Sequence, residues 1–166
     1  LKKDELNARL KKEWIDITLP GRRPNKGKLH PITTVMNRTI DILIGMGFSV
    51  QIGPDVDTDY YNFEGLNFAL DHPARDMEDT FWLKDGRLLR THVSAHQVPY
   101  MGTPSLPIAM VSPGRVFRNE ATDATHEAQF YQIEGLVVDE HTTLGTLKGV
   151  LETFFEKFFP FFFSNK

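Results

Sequence analysis

Between Val116 and Glu134 the chain reads V-F-R-N-E-A-T-D-A-T-H-E-A-Q-F-Y-Q-I-E, with its polar side chains two residues apart on either side of a charged loop. In extended backbone, successive side chains point to opposite faces. Val116, Arg118 and Glu120 therefore share one face of a strand, and Phe130, Gln132 and Glu134 share one face of the return strand. An arginine, two glutamates and a glutamine on one sheet face need mutual pairing or a ligand. A suitable ligand has an anion for the arginine, an amine or amide for the carboxylates and a flat group for the aromatics. A nucleotide together with an amino acid offers all three.

The order Phe-Arg-x-Glu, loop, then a strand ending Gln-x-Glu-Gly resembles the second signature motif of class II aminoacyl-tRNA synthetases. The fuller run GRVFRNE…THEAQFYQIEGL is similar to the α subunits of bacterial phenylalanyl-tRNA synthetases. The similarity runs from about LPGRRPNKGKLHP to LKGVLETFFEKFF, far more than a lone short motif. It implies an α+β fold, a mainly antiparallel sheet flanked by helices and truncated at its C-terminal end. It also implies an enzyme that makes phenylalanyl adenylate from phenylalanine and ATP and passes the amino acid to tRNA. That enzyme uses magnesium and works with a β subunit in an (αβ)2 heterotetramer; a cytoplasmic location is the default for a chain of this composition.

The resemblance distributes roles residue by residue. Arg118 falls where the family holds the α-phosphate, and is the catalytic candidate. Adenylate formation needs little acid–base help, because the substrate carboxylate is already ionised and is itself the nucleophile. The enzyme must align it and neutralise growing charge, which suits a guanidinium fork. Glu120, His126 and Glu127 join Arg118 as ATP-binding candidates. Trp82, His92, Ser94, Gln97, Gln132 and Glu134 match positions lining the amino-acid pocket. An α-ammonium wants acceptors, which Ser94, Gln132 and a neutral His92 can offer, and Trp82 offers a flat wall.

Each role has a plainer alternative. Arg118 could pair across strands with Glu120 or Glu134, Ser94 could cap a helix, Trp82 could be core, and His126 and Glu127 could sit in a solvated loop. His92 and His96 have the i, i+4 spacing of a helical zinc site but lack the accompanying glutamate. Arg75, in the family-like His-Pro-Ala-Arg-Asp run, is either a second anion ligand or a loop brace bonded to Asp76.

These residues need a scaffold, and 166 residues suffice for one core. A net charge of −3 excludes a global basic field for nucleic acid. The absence of cysteine excludes disulfides, thiolate metal sites and a cysteine nucleophile. No apolar run is long enough to span a bilayer, and the N-terminus lacks the apolar core of a signal peptide.

Residues 1–29 read as the end of a helical arm, striped by Leu6, Leu10 and Trp14, and a basic linker with Arg22, Arg23, Lys26 and Lys28. The linker is either solvated or in contact with RNA phosphate. Residues 30–166 read as the N-terminal portion of the catalytic domain. Pro31 opens a helix with Ile32, Val35, Met36, Ile40 and Leu43 on one face, ended by Gly45 or Gly47. Phe48, Val50 and Ile52 alternate as a strand. A short helix lies within residues 55–70, and a hairpin turns at Lys84 to Arg87. Ser94-x-x-Gln97 suggests a capping box for a helix through Met101, shortened or kinked by Pro99.

Ile108–Val111, Arg115–Asn119 and Ala128–Val138 read as three strands. Thr142 or Thr143 caps a last helix with Leu144, Leu147, Leu151, Phe154, Phe155 and Phe158 inward. The family's third motif, with its γ-phosphate arginine, is absent from this sequence, so the magnesium ligand is expected in the missing C-terminal part and none within this chain. Five phenylalanines within Phe158 to Phe163 ask for burial. Two other functions stay open: a non-catalytic binding or regulatory protein on the same fold, and a synthetase for another amino acid.

Overall fold

The computed structural model describes residues 2–13, 18, 21, 26–75, 80–102, 106–119 and 127–163. The chain forms two units, Leu1–His30 and Pro31–Lys166. In the first, helix α1 (Lys2–Lys12) has acidic residues in its first turn and basic ones in its last, which suits the helix dipole. Arg9 bonds Glu13 one turn on, at 3.0 Å. Leu6 and Leu10 are exposed, and Trp14, Arg22 and Arg23 lie outside the described residues.

The second unit begins with α2 (Pro31–Gly45). Gly47, at φ +95°, turns the chain out of the helix, and the Phe48 N–H reaches back to the Leu43 carbonyl at 3.0 Å. This is a left-handed glycine cap, which costs a residue without a Cβ little. The strand that follows, β1 (Ser49–Val50), is shorter than the alternation of Phe48, Val50 and Ile52 suggests. Its pairing with β4 stops after the Gln51 N–H bond to the Val111 carbonyl, and Ile52 is 81% exposed. β2 (Val56–Asp57) leads into α3 (Asp59–Asn62), which Thr58 caps. Two 3-10 turns follow, Glu64–Leu66 and Pro73–Arg75.

The hairpin at Lys84 to Arg87 closes with Gly86 at φ +86°, but it is paired only through a Trp82–Leu88 bridge and flanking backbone bonds. Its second arm, β3 (Leu88–Leu89), pairs instead with β2, antiparallel. A 3-10 turn, Val93–His96, runs into α4 (Gln97–Met101).

The three expected strands from Ile108 onward are two. β4 (Ile108–Phe117) continues through Ser112, Pro113 and Gly114, and β5 (Gln129–Val138) lies antiparallel to it. The sheet order is β1-β4-β5, with β1 parallel to β4. The Arg118 N–H donates to the Ala128 carbonyl, so the even-numbered residues of β4 direct their backbone groups to β5. Odd-numbered ones face the other edge: Val111 accepts there from Gln51, and Phe117 donates there to Arg90. Pro113 is odd, so its missing N–H costs the β4–β5 ladder nothing.

The last helix, α5 (Leu144–Phe158), starts at a capping box between Thr143 and Thr146, and α6 (Pro160–Phe163) follows. Arg38 of α2 donates to the Phe158 carbonyl at 2.8 Å and lays its guanidinium 4.9 Å from the Phe158 ring centroid. Phe154 and Phe158 are accordingly half-buried. Leu144, Leu147 and Leu151, expected inward, do face α2 and β5 but line an open cleft and stay exposed, and Phe155 is exposed as well. An apolar cleft of about 640 Å3 remains between α2, β5 and α5.

Candidate functional site

Register fixes which side chains meet. Ser112 lies opposite Glu134, Gly114 opposite Gln132, and Val116 opposite Phe130. Arg118 extends the same series. Arg118, Phe130, Gln132 and Glu134 therefore share the even face of the sheet. Helices α2 and α5 belong to the odd face, where Phe48 lies 3.7 Å from the place a Gly135 Cβ would take. The even face is met by the Val93–His96 turn, through a Ser94 hydroxyl bond to the Glu134 carboxylate and a His96–Ser112 bond.

Arg118 is half-buried, with its guanidinium 4.9 Å from the Phe130 ring centroid. Glu134 accepts from Ser94, which corrects the capping expectation. The turn already begins at Val93, and His92, in extended backbone, is its N-cap. Ser94 lies inside the turn, so its hydroxyl is free to cross to β5. His92 packs on Phe68, ring planes 13° apart with centroids at 5.8 Å, and meets Phe63 edge-on.

Buried polar atoms without a partner among the described residues are Trp82 Nε1, both His92 ring nitrogens, Gln132 Oε1 and Asp59 Oδ1. Burying such an atom unpaired costs about 1–3 kcal/mol each. Three of these four side chains were pocket candidates from the sequence. Gln97 opens α4 and is half-buried, and Glu127 is exposed just before β5. Glu120 and His126 lie outside the described residues. Arg75 is engaged within the fold. It bonds Asp59 at 2.5 Å and the Phe68 carbonyl at 3.3 Å, and stacks on Phe63. The expected partner Asp76 lies outside the described residues.

A residue that sequence reasoning missed is Arg90. Its Nε donates to the Arg115 carbonyl at 2.6 Å and its Nη1 to the Gly53 carbonyl at 3.1 Å. Nη1 also reaches His96 Nε2 at 2.7 Å, and Nη2 reaches Asp55 at 2.9 Å. A guanidinium only donates, so His96 Nε2 accepts and the ring proton sits on Nδ1, facing Ser112. The Ser112 hydroxyl in turn donates to the Gln51 carbonyl at 3.2 Å. Both His96 nitrogens are thus occupied, which removes the zinc reading. Among the described residues no three His, Cys, Asp or Glu gather as a metal site.

Both histidines are held neutral. Burial first, and the Arg118 charge second, push His92 down to about 4, against a weaker upward pull from the Asn62 backbone beside it. Burial and then Arg90 push His96 down to about 4, against a weaker pull from Asp55. The unfolded chain takes up these protons near pH 6.5, whereas the folded chain refuses them until about 4. Stability is therefore undiminished above pH 6.5 and drains away as the pH falls towards 4, by on the order of 3 kcal/mol for each histidine. Asp57, raised by burial, returns some of this as the carboxylate range is approached. Urea unfolding should show a lower midpoint at pH 5 than at pH 7.5. An unchanged midpoint would contradict the burial of both rings.

The chain is 48% identical over 155 residues to the phenylalanine–tRNA ligase alpha subunit of Nostoc punctiforme, covering 93% of this chain and 47% of that one. It is 52% identical over 157 residues to the protein of the same name from Caldanaerobacter subterraneus, covering 95% and 46%. It spans about half the length of the curated relatives it matches. The crystal structure of a pyrrolysyl-tRNA synthetase from Desulfitobacterium hafniense superposes with a TM-score of 0.63 at 18% identity, over 93% of this chain and 54% of that one, a likeness of fold. Residues 14–165, nearly the whole chain and the whole of the sheet just described, match the model for tRNA synthetases class II core domain (F). The chain belongs to that family of class II tRNA synthetase core domains.

Proposed function

We propose that this chain is the N-terminal half of the catalytic domain of a phenylalanine–tRNA ligase α subunit, with residues 1–29 the end of a preceding helical arm and linker. The whole enzyme activates phenylalanine with ATP and transfers it to tRNA in the cytoplasm. It does so as an (αβ)2 assembly with a β subunit. The observation that carries this is the set of buried, unpartnered polar atoms on Trp82, His92 and Gln132. Such atoms suit a small polar ligand, because a ligand restores the bonds that burial removed.

Each residue then has a task. The Gln132 carbonyl oxygen and one nitrogen of neutral His92 accept from the phenylalanine ammonium. A protonated His92 would repel both that ammonium and Arg118, so its depressed pKa serves binding. Ser94 spends its proton on Glu134 and turns its lone pairs outward as a further acceptor. Gln97 and Trp82 complete the pocket wall. The ionised phenylalanine carboxylate attacks the α-phosphate of ATP, and Arg118 neutralises the charge that grows there. Glu120, His126 and Glu127 hold the remainder of the nucleotide. Magnesium supplies charge on the phosphates when bound, through ligands outside these residues.

The test is phenylalanine-dependent ATP–pyrophosphate exchange. The assembled enzyme containing this segment should exchange, and the 166-residue chain alone should not. A carboxylate and phosphate held from one side only are seldom in line, and a pocket that leaves half its ligand in water binds weakly. Exchange by the isolated chain would mean that the chemistry needs fewer parts. No phenylalanine dependence in the assembled enzyme would overturn the reading.

A further inference from the structure

Arg90 is a fixed cation, its side chain 4% exposed, lying behind the site. We propose that Arg90 is a positioning residue: it locks the strip carrying His92 and Ser94 against the strand carrying Arg118, and so sets the span between the amine-binding and phosphate-binding halves of the site. The inference rests on the function proposed above.

Arg90 joins the two halves through both its backbone and its side chain. The Arg90 carbonyl accepts from the Phe117 N–H at 2.9 Å, next to Arg118. Its own N–H donates to the Asp55 carbonyl at 3.0 Å. Its guanidinium grips His96 at the far end of the turn that carries Ser94, and the Arg115 carbonyl on β4. His92 and Ser94 lie in sequence between these two anchor points, Arg90 and His96. They can shift relative to Arg118 only if one anchor gives way. From His96 the chain of bonds runs through Ser112 on β4 to Gln51 just past β1, so the turn is tied to the middle of the sheet as well.

The surroundings are built to the shape of this cluster. A Cβ on Gly114 would stand 2.4 Å from Arg90 Nη2, and one on Gly53 would stand 2.3 Å from the His96 ring. Asp55 supplies the countercharge to Arg90 and shares it with Arg115. A buried arginine is an expensive way to stabilise a fold. Its five donors in one plane, however, can register three segments at once, residues 53–55, the Val93–His96 turn and β4.

Arg90→Lys tests this, because an ammonium keeps the charge and cannot span four acceptors. In the assembled enzyme the kcat for phenylalanine-dependent exchange should fall about tenfold or more. The KM for phenylalanine should change less than about threefold, since the ligand atoms that bind it are untouched. In imidazole 15N spectra of the chain itself, the His92 signals should move, although its ring nitrogens bond nothing in the Arg90 cluster. A folded Arg90→Lys protein with unchanged kcat and unmoved His92 signals would overturn the proposal. If Arg90→Lys fails to fold, Ser112→Ala cuts the same chain of bonds one link on and should give a smaller kcat loss of the same kind. An unaltered kcat there would equally overturn it. Should the parent enzyme show no phenylalanine-dependent exchange, the functional reading fails by itself. Movement of the His92 signals then still decides whether Arg90 positions that residue.

Discussion

Arg118→Lys in the assembled enzyme is expected to slow phenylalanyl adenylate formation about a hundredfold or more, the usual cost of losing one preorganised charge-stabilising contact. The backbone at Arg118 is fixed by its N–H bond to Ala128 at 3.0 Å, so the side chain starts from a defined point. Its guanidinium plane is steadied by the Phe130 ring, which a lysine ammonium meets with a smaller, more strongly hydrated head. Charge is conserved in the substitution, while the two-pronged fit to a phosphate is lost. Pyrophosphate exchange at saturating phenylalanine and ATP measures the effect. A drop of less than about threefold would make Arg118 a structural residue of the β4–β5 pair.

Among substitutions, the largest expected effect on stability is that of Gly53→Ala, a loss of about 3 kcal/mol from overpacking and broken hydrogen bonds. The added methyl would sit 2.3 Å from His96 Cδ2 and Nε2, far inside contact distance. An aromatic ring often swings aside at small cost, but this one is bonded at both nitrogens, to Arg90 and to Ser112. Yielding breaks at least one of those bonds and disturbs the Arg90 cluster. Gly149→Ala is the control. It lies inside α5 with nothing within 4 Å of the new methyl, and should raise stability by about 0.5–1 kcal/mol. Thermal or urea unfolding of both variants would read the contrast. A Gly53→Ala chain as stable as the parent would show that the ring is loosely held.

What was legible in the sequence was local and periodic. The two-residue spacing of Arg118, Phe130, Gln132 and Glu134 is a property of extended backbone, and β5 carries it, with Arg118 continuing the pairing just past the end of β4. The Pro31 start and Gly47 stop of α2 follow from what those residues do to their own dihedral angles. What was illegible depended on distant partners. Ser94-x-x-Gln97 is a capping pattern, yet the Ser94 hydroxyl goes to Glu134 on another strand. Pro113 looks like a strand break until the opposite edge of β4 is known to be unladdered there. Arg90 has no motif around it, since its partners come from Gly53, Asp55, His96 and Arg115. Its one sequence trace is a lone charge following the apolar pair Leu88 and Leu89. Arg75 found its carboxylate sixteen residues upstream, at Asp59.

The even and odd edges of β4 have a bearing on how the sheet can grow. Beyond β1, the outer edge of β4 is already occupied by single bonds, Gln51 donating to Val111, the Arg90 side chain donating to Arg115 and Phe117 donating to the Arg90 carbonyl, which leave no run of groups for another strand to read. β5 is the last strand of the sheet among the described residues, ten residues long, with every second N–H and carbonyl facing away from β4. Any further strand that docks by backbone pairing along the long arm of this sheet must therefore arrive beside β5. There it would shelter alternate donors at Tyr131, Ile133, Gly135 and Val137. Until such a strand arrives, that edge is a ready template for any extended segment, including another copy of itself.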